Sequence, residues 1–313
     1  MKWFAGAQSV LDPAGPQAGR IHGLFEVFLW VAIIVWVLTV GAMLIAFWKK
    51  HGGERHDDTT KRVVTACGVI TVAVLLALLV ASAVTGSAFA TVPSNNVMNI
   101  EIRGHQWWWE VHYPDYIPHE RVTTANEIHI PVGRPVRFKL TSDDVIHSFW
   151  APNLSGKLDL FPNRVNEAWF EADRPGMWRG QCAEFCGLQH ANMAFWVIAE
   201  PPDKFNEWIE NQRKPGVMPS TPDQAHGQEV FLNGPCVVCH TIRGTNALAS
   251  VGPDLTHLAS RHTIAAGTLA LDRGNLAGWV TDAQRIKPGN RMPPVNVPSK
   301  DLEPLLAYLE SLK

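Results

Sequence analysis

The segment Gly180–Met193 reads GQCAEFCGLQHANM, and it decides the fold of the central part of the chain. Within twelve residues it sets Cys182, Cys186, His190 and Met193 in the spacing CxxxCxxxHxxM. Two thiolates, an imidazole and a thioether form a soft donor set that selects copper over the hard cations. Sulfurs four residues apart on one loop are able to bridge two metal ions, and a metal pair then needs a second imidazole. His147, in DDVIHSFWAP at the end of a predicted strand, is the natural supplier. Any one of these residues alone would be ordinary packing, but four ligand types at this spacing are not. A loop that keeps several ligands in place calls for a stiff framework on either side.

That framework is legible around the loop. After Pro93 the chain turns to short alternating runs, Val97–Arg103, Glu127–Pro131, Val136–Thr141, Ala168–Glu171 and Ala194–Ala199, separated by Gly, Pro and Asn/Asp signals. Period-2 alternation with such punctuation predicts a β-sandwich or barrel over residues 94–200. A Pro-rich, charged stretch at 201–223 follows, with a short helical piece at Asp203–Gln212 and then KPGVMPSTPD, and it reads as a linker. Residues 224–313 carry helical runs at Ala225–Asn233, Thr268–Asp272, Leu276–Asp282 and Lys300–Ser311, with no convincing strands, and predict a small all-α domain.

This helical block opens with PCVVCHT at Pro235–Thr241. In the CxxCH pattern two cysteines form thioethers to the haem vinyls and the adjacent histidine binds iron, which assigns Cys236, Cys239 and His240. A stray zinc or redox pair would not be expected to open a helical domain of this size. The favoured sixth ligand is Met292 in KPGNRMPP, because a thioether on iron raises its potential. His257 and His262 are the alternatives.

The 313 residues hold 27 Lys+Arg against 29 Asp+Glu and are 46% hydrophobic, too apolar for a disordered chain. A net charge of −2 gives no reason to expect nucleic acid. Apolar residues concentrate early: Val27–Trp48 and Val63–Val92 run 22 and 30 residues without a charge. Each is enough to cross a hydrocarbon core, so two membrane spans are expected at about 24–48 and 63–92, within an N-terminal segment 1–93. A single-domain cytosolic protein is excluded. The connector carries Lys49, Lys50, Arg55, Lys61 and Arg62, which places it on the cytoplasmic side and both termini outside. Residues 1–22 have no contiguous apolar core before Leu24 and show no clear cleavable signal, with Met1–Ala7 left open as the remnant of a processed segment. Of five cysteines, four lie in two close pairs, which favours cofactor ligation over disulfides; Cys67, in the second span, reads as a packing residue.

GHQWWWE, VIHSFWAP, GKLDLFPNR and GQCAEFCGLQHANM together resemble subunit II of haem–copper cytochrome c oxidase, over roughly residues 20–200. With the helical domain added, the whole resembles the fused subunit II of a caa3-type oxidase. The resemblance implies a two-helix transmembrane hairpin, a cupredoxin-like β-barrel and an all-α cytochrome c domain. It implies that His147, Cys182, Cys186, His190 and Met193, with the backbone carbonyl of Glu184, hold a dinuclear Cu(A) centre. The Glu184 carboxylate would reach a magnesium ion shared with subunit I. Trp107 matches the family's electron-entry aromatic at the protein surface, whereas packing is the default for Trp108 and Trp109. Pro253, in VGPDLTHL, matches a proline that packs near the proximal haem ligand.

By the same resemblance, electrons pass from an external cytochrome c to haem c, to Cu(A), and then to subunit I, where oxygen is reduced to water with coupled proton translocation. The implied partners are subunit I, other oxidase subunits, the cytochrome c donor and membrane lipid. The implied location is a bacterial inner membrane with both soluble domains on the periplasmic side. One departure stands out: the second span opens DDTTKRVVTACG instead of with the family's acidic residue and Trp/Pro pattern, and neither Glu54, Asp57 nor Asp58 is assigned that proton-entry role. Residues 94–200 carry 13 acidic against 9 basic residues and residues 225–313 carry 7 against 8, so a less acidic haem domain would face an acidic copper domain through a flexible tether. Glu110, Asp115 and Asp159 are candidates for that face. A membrane-tethered copper-delivery protein is the alternative reading, but it would need neither a covalent haem nor GHQWWWE.

Overall fold

The computed structural model describes residues 7–48, 57–87, 93, 96–114 and 121–313. Lys49, Lys50, Glu54, Arg55 and Asp115, and the side chain of Asp57, lie outside the described residues. Two units result, one of residues 17–92 and one of residues 1–16 with 93–313. In the first, α1 (Pro16–Trp48) and α2 (Asp57–Ser87) are both long and apolar enough to cross a membrane. Large side chains such as Trp36, Leu38, Val69 and Leu79 are exposed on them, as suits helices whose solvent is lipid. Both helices begin several residues before the apolar runs that signal them.

The second unit contains a barrel of two five-stranded sheets. One sheet has the order β3 (Val122–Ala125), β2 (Trp108–Tyr113), β1 (Met98–His105), β5 (Val136–Ser142), β8 (Asn166–Phe170). The other runs β4 (Glu127–Pro131), β10 (Ala194–Glu200), β9 (Gly176–Cys182), β6 (His147–Trp150), β7 (Leu158–Leu160). β1 with β5 and β4 with β10 are parallel pairs, and the rest are antiparallel. Alternation does what it should on β1, where Ile100 and Ile102 are buried and Glu101 and Arg103 are not. Phe149 stacks on Phe195 at 4.4 Å between ring centroids, with Trp109 edge-on to both, and these rings centre the core. Asn126, at φ 63°, is the corner where the chain leaves β3 for β4 in the other sheet; its Oδ1 accepts from Trp109 N–H at 2.9 Å.

The sequence predicted five strands here, and the structure adds β2, β3, β6, β7 and β9. His147 opens β6 instead of ending a strand. Residues 7–15 lie along the barrel, with Arg179 N–H donating to Ala7 O at 2.7 Å and Ala14 N–H to Asn153 O at 2.7 Å.

The stretch expected to be a flexible tether is pinned at both ends. Helix α3 (Pro202–Arg213) buries Phe205 and Ile209 in the barrel core, and Trp208 stacks on His129 at 4.0 Å. Past α3, Gly216 N–H donates to Arg243 O at 2.8 Å, and His257 Nε2 lies 3.1 Å from Lys214 O. The helical domain follows with α4 (Pro222–Asn233), α5 (Arg273–Thr281), α6 (Ala283–Ile286) and α7 (Ser299–Leu309). Thr221 caps α4 and Asp272 caps α5 through their side chains. α4 crosses α7 at Gly227, where a Cβ would lie 2.0 Å from Pro304 O, so only glycine permits this approach. Phe231, Leu276, Leu305 and Leu309 form the core between the helices. Thr268–Asp272 is not helical: Thr263–Ile264 (β11) pairs with Leu269–Ala270 (β12) around positive-φ residues Ala265, Ala266 and Gly267, a conformation no helix admits.

Candidate copper and haem sites

β9 ends at Cys182 and β10 begins just after Met193, so the ladder pair Gln181↔Ala194 closes the ligand loop at its base. Cys182 N–H donates to Met193 O at 2.9 Å, bringing the first and last ligand together. The Cys182 and Cys186 sulfurs lie 3.7 Å apart. His147 Nδ1 lies 3.8 Å from Cys182 Sγ and His190 Nδ1 3.6 Å from Cys186 Sγ, while Met193 Sδ is 3.8 Å from Cys186 Sγ. Glu184 O is 3.2 Å from Cys182 Sγ. The Cys182 sulfur is thus contacted by His147 and the Glu184 carbonyl, and the Cys186 sulfur by His190 and Met193. His147, Cys182 and Cys186 also stand out as a buried group able to hold a metal ion. The Glu184 carboxylate itself is exposed.

The sulfur contact makes the first thiol proton easy to remove, and the anion so formed resists loss of the second. A soft cation between the sulfurs relieves that conflict, and the donor set fits copper in this sense. Gly104 makes room for the first imidazole, since a Cβ there would lie 2.8 Å from His147 Cδ2. His147 Nε2 meets Asp144 Oδ1 at 2.9 Å, leaving Nδ1 for the sulfur side. Burial works against a charge on Asp144, but bonds from His147, Gln106 N–H and Val145 N–H outweigh it and hold the carboxyl at about 2. Burial likewise disfavours a charged His147, and Asp144 with Cys182 more than offsets this, so its imidazole is pulled above the usual value.

Cys236, Cys239 and His240 line a largely apolar cavity whose wall also includes Met292. A 3-10 turn at Pro235–Val238 sets the two cysteines and hands His240 to the cavity. His240 Nδ1 lies 2.8 Å from Pro253 O, which fixes the ring and leaves Nε2 for a metal, and burial pushes the imidazole toward its neutral form. Gln284 Nε2 donates to both Asn290 O and Met292 O at 2.7 Å, bracing the methionine loop. Two thiols, an imidazole and a thioether on the lining of an apolar slot fit a covalently held haem. His257 and His262 are not on this cavity: the first faces the Lys313 and Lys214 carbonyls, the second Glu127.

The wall on the barrel side is made by Gln106, Trp107, Trp108 and Asn126. Trp107 stands at the tip of the β1–β2 hairpin but is only 9% exposed, covered by the helical domain, which corrects its expected place at the surface. Its Nε1–H donates to Cys186 O at 2.9 Å, and Gln106 Nε2 donates to the same oxygen at 2.8 Å. Trp108 stacks on His105 at 4.4 Å, and Trp109 is in the barrel core. Glu110 is bound to His105 and His112, and Asp159 is on β7. Asp144, Gln106, Glu127 and Lys287 escaped the sequence reading. Only Asp144 left a signal there, as an acid three residues before the ligand His147.

Residues 118–200 match the family model "Cytochrome C oxidase subunit II, periplasmic domain", and residues 224–313 match "Cytochrome c". The chain is 34% identical to cytochrome c oxidase subunit 2 of Alkalihalophilus pseudofirmus, covering 97% of this chain and 91% of that one. It is 33% identical to cytochrome c oxidase subunit 2 of Bacillus sp. (strain PS3), covering 78% and 72%. The crystal structure of the periplasmic domain of subunit II of cytochrome oxidase from Bradyrhizobium japonicum aligns at 33% identity with a TM-score of 0.37, over 39% of this chain and 97% of that one. The chain therefore belongs to the cytochrome c oxidase subunit 2 family, as a membrane-anchored, copper- and haem-binding electron-transfer subunit of an oxidoreductase complex.

Proposed function

We propose that this chain is the electron-entry subunit of a caa3-type oxidase, accepting electrons from an external cytochrome c and delivering them to subunit I, where oxygen is reduced to water with coupled proton translocation. In this reading Cys236 and Cys239 would hold haem c covalently, with His240 and Met292 as the iron ligands. His147, Cys182, Cys186, His190, Met193 and the Glu184 carbonyl hold Cu(A), and the exposed Glu184 carboxylate is free to reach a magnesium ion shared with subunit I. When bound, the two groups supply one-electron storage at neighbouring sites. The hairpin connector lies on the cytoplasmic side and both soluble domains lie in the periplasm of a bacterial cell, alongside membrane lipid and the other oxidase subunits.

The observation that carries this reading is the position of Trp107. One face of its hairpin tip walls the cavity of His240 and Met292, and its indole N–H is bonded to the carbonyl of Cys186. A single side chain thus connects the two sites without intervening solvent. Asp144 fixes the ring of His147, Pro253 fixes that of His240, and the closed ligand loop keeps donor movement small. Small rearrangement is what rapid electron transfer requires of a site.

The test is metal content and electron paramagnetic resonance on the full-length chain matured with haem and loaded with copper. The expected result is two coppers per iron with one unpaired electron shared over both coppers. One copper per iron with the signal of an isolated Cu(II) overturns the dinuclear assignment and favours a copper-delivery protein.

A further inference from the structure

Two buried charges cross the seam between barrel and helical domain in opposite directions. Glu127, the first residue of β4, is 2% exposed and reaches into the helical domain. Its Oε1 accepts from the backbone N–H groups of His262 at 2.7 Å and Thr263 at 3.1 Å, and its Oε2 lies 3.3 Å from His262 Nδ1. Lys287, which ends α6, is also 2% exposed and reaches the other way. Its Nζ donates to Trp107 O at 2.8 Å and Asn192 O at 2.7 Å in the barrel, and to Ala265 O at 3.2 Å in its own domain.

The partners of Lys287 matter more than their number. Trp107 is the residue shared by the two sites, and Asn192 directly precedes the ligand Met193. All three acceptors are peptide carbonyls, so the ammonium is satisfied by dipoles; its burial pushes the pKa down to about 7. A buried charge held this way is a costly means of attaching two surfaces, and an apolar side chain of similar volume would attach them at least as well. What the charge adds is a single register, because three carbonyls from three segments meet one nitrogen in only one arrangement.

We propose that Lys287 is a positioning residue that keys the helical domain onto the barrel in the register needed for electron transfer past Trp107, with Glu127 as the reciprocal key. The inference rests on the electron route proposed above. Under it the domains act as a permanently docked pair, and transfer between them is insensitive to solvent viscosity.

The test uses the full-length holo-chain in its oxidase complex, with the haem reduced by a pulse of photoreductant and electron arrival at copper followed optically. Transfer in the unaltered chain should be independent of viscosity. In K287M it should slow by about 10- to 100-fold and become viscosity-dependent, as expected when reacting groups lose their alignment. Reduction of the haem by the photoreductant and the copper resonance signal should stay unchanged. K287R, which still donates to carbonyls, should recover part of the rate. Should K287M fail to mature, E127Q approaches the seam from the other side and is expected to slow transfer in the same viscosity-dependent manner. Transfer within about twofold of the unaltered rate in the matured variants, with no viscosity dependence, overturns the inference. Absence of any transfer to copper in the unaltered chain overturns the electron route itself, and this inference with it.

Discussion

Asp144 and His147 are joined by a hydrogen bond of 2.9 Å, and the other carboxylate oxygen of Asp144 accepts from Arg291, next to Met292, at 3.1 Å. One acidic side chain therefore touches a copper ligand and the loop of a haem ligand. Outer partners of a ligating imidazole set its tautomer and basicity. D144N should weaken copper retention by about 10- to 100-fold against a competing chelator, with the haem spectrum unchanged. Equal copper affinity in the variant would show that the ring of His147 is held by packing alone.

Trp107 is expected to matter through both of its faces. W107F keeps the ring in the haem-side wall but removes the donor to Cys186 O, which retains Gln106 as its remaining partner. Loss of one buried hydrogen bond should cost about 1 kcal/mol, read from the denaturant midpoint. Electron arrival at copper after haem photoreduction should slow as well, while haem reduction does not.

Met292 is braced through Gln284, so exchanging its side chain leaves the loop backbone supported. M292H should retain a six-coordinate haem but lower its reduction potential by on the order of 0.1 V, since thioether ligation raises it. A spectroelectrochemical titration checks this. An unchanged potential would remove Met292 from the iron.

The barrel should lose stability on acidification through Glu110. Burial would raise its pKa, but contacts of 3.3 Å to both His105 and His112 prevail and lower it from 4.5 to about 2. A carboxylate depressed in the folded state contributes stability above its unfolded pKa, and that contribution disappears as pH falls from about 4.5 to about 2. The amount at stake is about 3 kcal/mol. Thermal melts of E110Q should therefore be lower than those of the unaltered chain near neutral pH and converge with them toward pH 2.

Much of this architecture was readable from the sequence because the signals are local. CxxxCxxxHxxM and CxxCH compress their chemistry into a few residues, and uncharged runs of membrane length report on themselves. β1, β4 and β5 alternate in sequence, and β10 announces itself as the unbroken apolar run AFWVIA between the ligand Met193 and Glu200. β2 was missed because Trp108, Trp109, Glu110 and Val111 do not alternate, three of the four being buried. β9 is hard to read because its buried residues are Trp178, Gly180 and Cys182, and a single large apolar side chain beside a glycine and a cysteine gives little periodic signal. Thr268–Asp272 looked helical by composition, while the left-handed residues before it force a hairpin. The seam was invisible for a different reason: Glu127 and Lys287 are charged residues whose burial depends on the docked domain, which supplies the partners of Glu127 and two of the three carbonyls bound by Lys287.

The packing of α3 also changes where this chain divides. A fragment cut after Glu200 would strip Phe205, Trp208 and Ile209 from the barrel and leave the ring of His129 and the flank of Tyr113 bare to water. One cut after Arg213 keeps that seal intact. Dissection of the protein into working pieces should therefore carry the helix with the barrel, although its last turn also meets the helical domain, where Gln212 Nε2 donates to Ser260 Oγ at 3.3 Å and Arg243 donates to the carbonyls of Gln212 and Arg213.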